Sequence, residues 1–125
     1  TQAKTLFPYT TLFRSALIAG LHLYILILEM FLWDKPLGMK AFGNTAEKAK
    51  LTKVLAQNQG LYNGFLAAGL IWSLLAPVSY APALANFFLA CVLVAGIYGS
   101  LTASKKIIYI QALPALLALI VLNLV

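Results

Sequence analysis

From Ala16 to Val125 the chain keeps nearly all of its charges out of four long apolar stretches. The seven lysines of that region are confined to two of the three connections. Lys35, Lys40, Lys48, Lys50 and Lys53 fall in residues 34–53, Lys105 and Lys106 fall in residues 102–106, and the Pro77–Tyr80 link has none. A helix that crosses a bilayer needs ~20 mostly apolar residues, and a lipid environment requires each span to satisfy its own backbone. The expected spans are residues 16–33, 54–76, 81–101 and 107–125. Lysine-bearing connections stay on the cytoplasmic side. One orientation therefore satisfies every lysine: both basic connections inside, the Pro77–Tyr80 turn and both termini outside. The expected fold class is all-α, an integral membrane four-helix bundle with both termini outside.

Composition agrees with that pattern. The chain has 125 residues, 62% hydrophobic and only 10% charged, whereas a soluble domain has about 45–50% apolar and about 25% charged residues. The net charge of +6 does not point to nucleic acid, because the lysines flank apolar spans instead of lining a basic face. The single cysteine, Cys91, has no internal partner for a disulfide.

Residues Thr5 to Ser15 read TLFPYTTLFRS. This string is, codon for codon, the in-frame translation of a common short-read sequencing adapter. Residues 1–15 are therefore expected to be non-native, with the four-span membrane domain occupying 16–125. Without Lys4 and Arg14, seven lysines stand against Glu29, Asp34 and Glu47, a net charge of +4.

The first basic connection has structure of its own to offer. Pro36-Leu37-Gly38-Met39 reads as a turn with an apolar lip at the interface. In Asn44-Thr45-Ala46-Glu47 a polar cap residue is followed three positions later by Glu, so the second helix is expected to begin near Ala46. Trp33, Trp72, Tyr80 and Tyr109 fall near span ends, where amphipathic rings prefer to sit.

Polar groups inside a span are costly and mark candidate sites. His22 and Glu29 are seven residues apart on the first span, so they project within about 20° of each other, with Leu26 and Trp33 on the same stripe. Glu29 invites two readings, a proton or ligand site, or a structural tether to helix caps or to loop lysines, with Lys50 and Lys53 as the candidates. His22 reads as a proton-relay group or as a hydrogen-bonding partner of a neighbouring helix. Two groups two turns apart do not make a metal site, and none is expected. The second span holds Gln57-Asn58-Gln59 and Tyr62-Asn63. Of these, Asn58, Gln59, Tyr62 and Asn63 cover an arc of about 140°, either a ligand-facing polar surface or glue between helices. Beside it runs a small-residue ridge of Gly60, Gly64 and Ala68 that permits close packing. Gly96 and Gly99 read as packing positions on the third span. On the fourth, Pro114 frees the carbonyl of Ile110, with Gln111 close by to satisfy local groups. Asn86 and Asn123 lie near the outer ends. No phosphate loop, nucleophile elbow, HExxH or CxxC is present.

Three segments carry a family resemblance. The run HLYILILEMFLW from His22 to Trp33, the run NQGLYNGFLAAG from Asn58 to Gly69, and AGIYG from Ala95 to Gly99 followed by Gln111-x-x-Pro114 resemble the signatures of the membrane family called domain of unknown function 1304. The likeness extends over Ala16 to Val125. It implies a small four-span integral membrane protein and supplies no activity.

Three functional readings follow. The leading one is a small-molecule or proton-coupled transporter, permease-like, with His22, Glu29, Asn58, Gln59, Tyr62, Asn63 and Gln111 as ligand or proton candidates. Small multidrug exporters are an analogy in size and in carrying a helix-one carboxylate, although the surrounding motifs differ. The second is a membrane enzyme acting on lipophilic substrates, in which Lys50 and Lys53 hold an anionic thiol cofactor. Its likeness to trimeric membrane glutathione-dependent enzymes is weakened by the missing arginines. The third is a non-catalytic accessory subunit whose polar residues only organise helices. The leading reading needs no cofactor. The expected partners are the lipid bilayer, a small-molecule ligand and further copies of the chain, since so small a unit encloses little alone, with no nucleic acid. The expected location is a bacterial plasma membrane, crossed several times.

Overall fold

A computed structural model describes residues 2–124, with side chains described from Leu12 onward. It is all-helical, and the described residues contain no strand. The order is α1 (Gln2–Met30), α2 (Pro36–Phe42), α3 (Ala46–Leu75), α4 (Ala81–Thr102), a π-helical turn (Ile108–Ala112) and α5 (Leu113–Leu124). Two of these helices contain stretches long and apolar enough to cross a membrane, Leu12–Met30 and Ala81–Thr102. α3 does not reach the same apolarity, because its central turns carry Gln57, Asn58, Gln59 and Asn63. The last apolar helical segment, Ile108–Leu124, is shorter than the first two.

Residues 20–67 form one compact unit, and residues 1–19 together with 68–125 form another. In the first unit, the helical part of the first expected span ends at Met30, short of Trp33. Residues 31–35 turn, with the Lys35 N–H bonded to the Leu32 carbonyl at 3.0 Å. Pro36-Leu37-Gly38-Met39 then forms the start of α2 and not the turn expected from its Pro and Gly. Lys35 is the extended cap and Pro36 opens the helix, where its fixed φ suits the geometry and its missing N–H costs nothing. α2 stops at Gly43, at φ 67°, a left-handed conformation that glycine adopts without strain, and the Asn44 N–H bonds back to the Met39 carbonyl at 2.9 Å. α3 begins at Ala46, where it was expected. The cap, however, is Thr45 and not Asn44: the Lys48 N–H donates to Thr45 Oγ1 at 3.2 Å, which moves Glu47 one place earlier in the first turn.

The other unit is built on α4 and α5. Leu89 and Val92 of α4 and Ala115 of α5 are fully buried. Gly96 is where the chain approaches most closely, since a Cβ added there would lie 2.8 Å from the backbone nitrogen of Ala112. Gly99 is looser, with the Ile107 side chain 3.3 Å from the same built position. The π-helical turn ends just before Pro114. The Leu113 N–H reaches the carbonyl of Ile108, a widened turn that makes room for the proline ring where an α-turn would clash. At the far end, Asn123 Nδ2 donates to Asn86 Oδ1 at 2.6 Å.

Candidate functional site

The candidate site lies in the unit of residues 20–67 and is built by two helical segments in close contact. Gly60 makes that contact possible. A Cβ there would meet Met30 Cγ at 2.6 Å, Glu29 Cβ at 3.1 Å and the Leu26 carbonyl oxygen at 3.3 Å. Gly64 meets Leu26 in the same way, at 2.6 Å from Cδ1. Ala68, the third member of the ridge, is exposed and falls in the other unit.

On α1 the two ionisable residues of the stripe are both buried. His22 has no exposed surface and Glu29 is 2% exposed. Asn63 of α3 donates from Nδ2 to Glu29 Oε1 at 2.5 Å. The carboxylate and the amide therefore meet between helices, with the seam of Gly60 and Leu26 beside them. Trp33 is not part of the stripe, because the helix has already ended. The expected tether from Glu29 to a loop lysine does not form: Lys53 pairs with Asp34 instead, Nζ to Oδ2 at 3.0 Å, and Lys50 is exposed. Among the described residues no three His, Cys, Asp or Glu side chains gather, so Glu29 and His22 have no third ligand of those types beside them.

The polar arc of α3 divides. Asn63 turns inward to Glu29, whereas Asn58, Gln59 and Tyr62 are exposed. The Asn58 amide donates to the Val54 carbonyl of its own helix at 3.1 Å. Gln111 belongs to the other unit, where Nε2 donates to the Val92 carbonyl at 3.1 Å. It thus bonds a neighbouring helix and not the groups freed by Pro114. An apolar hollow in that unit, lined by Ser73, Ala85 and Leu122 among others, includes none of the candidate residues.

Sequence reasoning missed the collar that closes this unit. Trp33 Nε1 donates to Thr52 Oγ1 at 3.0 Å, and its ring packs at 4.8 Å on Phe42. Gly38 sits beneath, where an added Cβ would run into the Leu32 carbonyl. Beside them Lys53 holds the Asp34 carboxyl below the usual carboxylate range, chiefly by its hydrogen bond. The glycine after Pro36 was the only signal in the sequence, and it also fitted a simple turn.

The architecture is that of an all-helical protein with two helices of membrane-crossing length and a buried acid hydrogen-bonded to a partly buried amide. The chain belongs to the family described as protein of unknown function (DUF1304), whose model matches residues 16–123. The uncharacterized protein YpaA of Lactococcus lactis subsp. lactis (strain IL1403) is 36% identical over 112 residues, which cover 88% of this chain and 93% of that protein. No solved structure matches the chain.

Proposed function

We propose that the chain is a four-span protein of a bacterial plasma membrane that transports a small solute or protons, with Glu29 as its acidic group. The observation that carries this reading is one carboxylate buried in an apolar helix, 2% exposed and hydrogen-bonded by Asn63. An acidic side chain at that depth is expensive, and membrane proteins keep such groups at ion and substrate paths. His22, buried two turns away on the same helix, gives a second titratable group along the path. In this reading α3 and Ile108–Leu124 are the second and fourth spans. Of the amides on α3, Asn63 is bonded to Glu29 and Asn58 to its own backbone, which lowers the cost of crossing. Both basic connections face the cytoplasm, and both termini face outward. Residues 16–125 make up the membrane domain, and residues 1–15 are not native to it.

The experiment is proton flux. Purified chain reconstituted in liposomes with a trapped pH dye is challenged with a pH step, alone and with a panel of small cations. Transport through Glu29 predicts flux that Glu29→Gln abolishes while the variant still folds and reconstitutes. Flux equal in both proteins would remove Glu29 from the mechanism. The accessory reading has one observation on its side, since the Glu29–Asn63 bond also clamps two helices. It predicts that Asn63→Leu loses folding and assembly together, with no separate flux to lose.

A further inference from the structure

Glu29, Asp34 and Glu47 are the only acidic residues of the chain, and all three lie in the unit of residues 20–67. Glu29 is buried and bonded by Asn63, and Asp34 is paired with Lys53. Glu47 alone then remains for Lys35, Lys40, Lys48 and Lys50, which are exposed and, among the described residues, in no ion pair. Residues 34–53 hold five lysines against two acids, an excess of +3. The other unit has no acidic side chain to set against them. Covering an ammonium with apolar surface is costly, so these lysines stay accessible. A second copy of the chain would bring the same shortage of acids. A surface that answers this charge therefore belongs to a different molecule.

The collar gathers the four lysines at one end of the unit. The Trp33 indole donates to Thr52 at 3.0 Å and packs on Phe42 at 4.8 Å, which ties the end of α1 to α2 and to the start of α3. Lys35 lies two residues after Trp33, and Lys40 two residues before Phe42. Lys48 and Lys50 lie about 6 Å and 3 Å from Thr52 along the axis of α3. This level comes just past Leu12–Met30, a stretch long and apolar enough to cross a membrane. Apolar side chains are interspersed with the charges: Leu37 stands between Lys35 and Lys40, and Leu51 follows Lys50. Charged heads on long stems beside leucines suit the boundary between lipid headgroups and hydrocarbon. A nucleic acid would answer the lysines and leave the leucines unmatched.

We infer that the collar binds the anionic phospholipid headgroups of the leaflet it borders, with lipid phosphates against Lys35, Lys40, Lys48 and Lys50. The inference rests on the membrane reading above, on its first span and not on transport. Charge complementarity selects the occupant, since four or more lysines beside a span attract anionic lipid.

The test reads Trp33 emission in a Trp72→Phe background. The full chain is reconstituted in phosphatidylcholine liposomes that contain brominated phosphatidylglycerol or brominated phosphatidylcholine. The anionic lipid quenches Trp33 at a lower mole fraction than the zwitterionic one. Lys35→Gln/Lys40→Gln/Lys48→Gln/Lys50→Gln lowers that preference at least about fivefold, the effect of a single lysine near an anionic surface, with an unchanged melting temperature in phosphatidylcholine alone. Equal quenching of the parent by the two lipids overturns the inference, and so does a preference that the variant retains in full. Millimolar inorganic phosphate that abolishes the preference, where sodium chloride of the same ionic strength does not, assigns the lysines to a free anion and also overturns it. Carbonate extraction separates the two failures: a chain that washes off refutes the membrane reading, whereas an embedded chain without lipid preference refutes only the headgroup site.

Discussion

Replacing Asn63 by leucine tests the Glu29–Asn63 pair directly. The variant keeps similar volume but leaves Glu29 Oε1, in a side chain only 2% exposed, without its donor at 2.5 Å. Stranding a buried acceptor costs about 1–3 kcal/mol. Replacing both partners by apolar groups costs far less and is sometimes stabilising. The cycle of Asn63→Leu, Glu29→Leu and the double variant therefore has a required order. Asn63→Leu is the least stable of the set, and adding Glu29→Leu to it restores stability. Side-chain hydrogen bonds in membrane proteins give coupling energies averaging about 0.6 and reaching about 1.7 kcal/mol. The near-complete burial of Glu29 places this pair toward the top of that range, about 1.5 kcal/mol, or roughly tenfold in the unfolding equilibrium. Reversible unfolding in mixed micelles, followed by the two tryptophans, measures it. A coupling indistinguishable from zero, or an Asn63→Leu protein as stable as the parent, would refute the reasoning.

Other outcomes follow from the same geometry. Gly96→Ala pushes a methyl onto the Ala112 backbone and is expected to cost about 1–3 kcal/mol. Gly60→Ala meets mainly the flexible Met30 side chain and should cost less, an order that thermal melts of the two variants check. Gly38→Ala meets the Leu32 carbonyl, a clash that outweighs the ~1 kcal/mol gain in helix propensity. It should detach Trp33 from Phe42, seen as a red shift of Trp33 emission in a Trp72→Phe background. Because Lys53 lowers the Asp34 pKa, that pair contributes stability above the ordinary carboxylate pKa of about 4, and the contribution is lost as pH falls through the lower folded-state value. Asp34→Asn should remove this acid-sensitive part of the melting temperature. The effect should be small and salt-dependent because the pair is only partly buried. A slope unchanged by Asp34→Asn would show that the pair contributes nothing.

Where the helices lie was largely legible from hydropathy and local chemistry. The third span, expected at residues 81–101, is helical from Ala81 to Thr102, and the polar residues before Ala46 correctly marked a helix start. Both are properties of neighbouring residues, which a linear pattern records. The end of α1 was misplaced for the same reason. Phe31, Leu32 and Trp33 continue the apolar run, but the backbone turns there to admit Gly38 beneath Leu32. No property of residues 31–33 alone indicates that contact.

The 3.6-residue repeat put His22 and Glu29 on one side of a helix, and it put Asn58, Gln59, Tyr62 and Asn63 on one arc. It did not say which side of α3 meets α1. That was decided by Gly60, whose missing side chain lets the helices close, turning Asn63 toward Glu29 and leaving Asn58, Gln59 and Tyr62 outside. The order of residues along the chain determined which segments are apolar, where their charges collect and which residues share a stripe, because those follow from composition and helix geometry. Pairing of the acid with one amide among several, and of Lys53 with Asp34 instead of Glu29, required the tertiary structure. A hydrogen bond depends on distances of a few ångströms between residues 19 to 34 positions apart, and packing alone sets those distances.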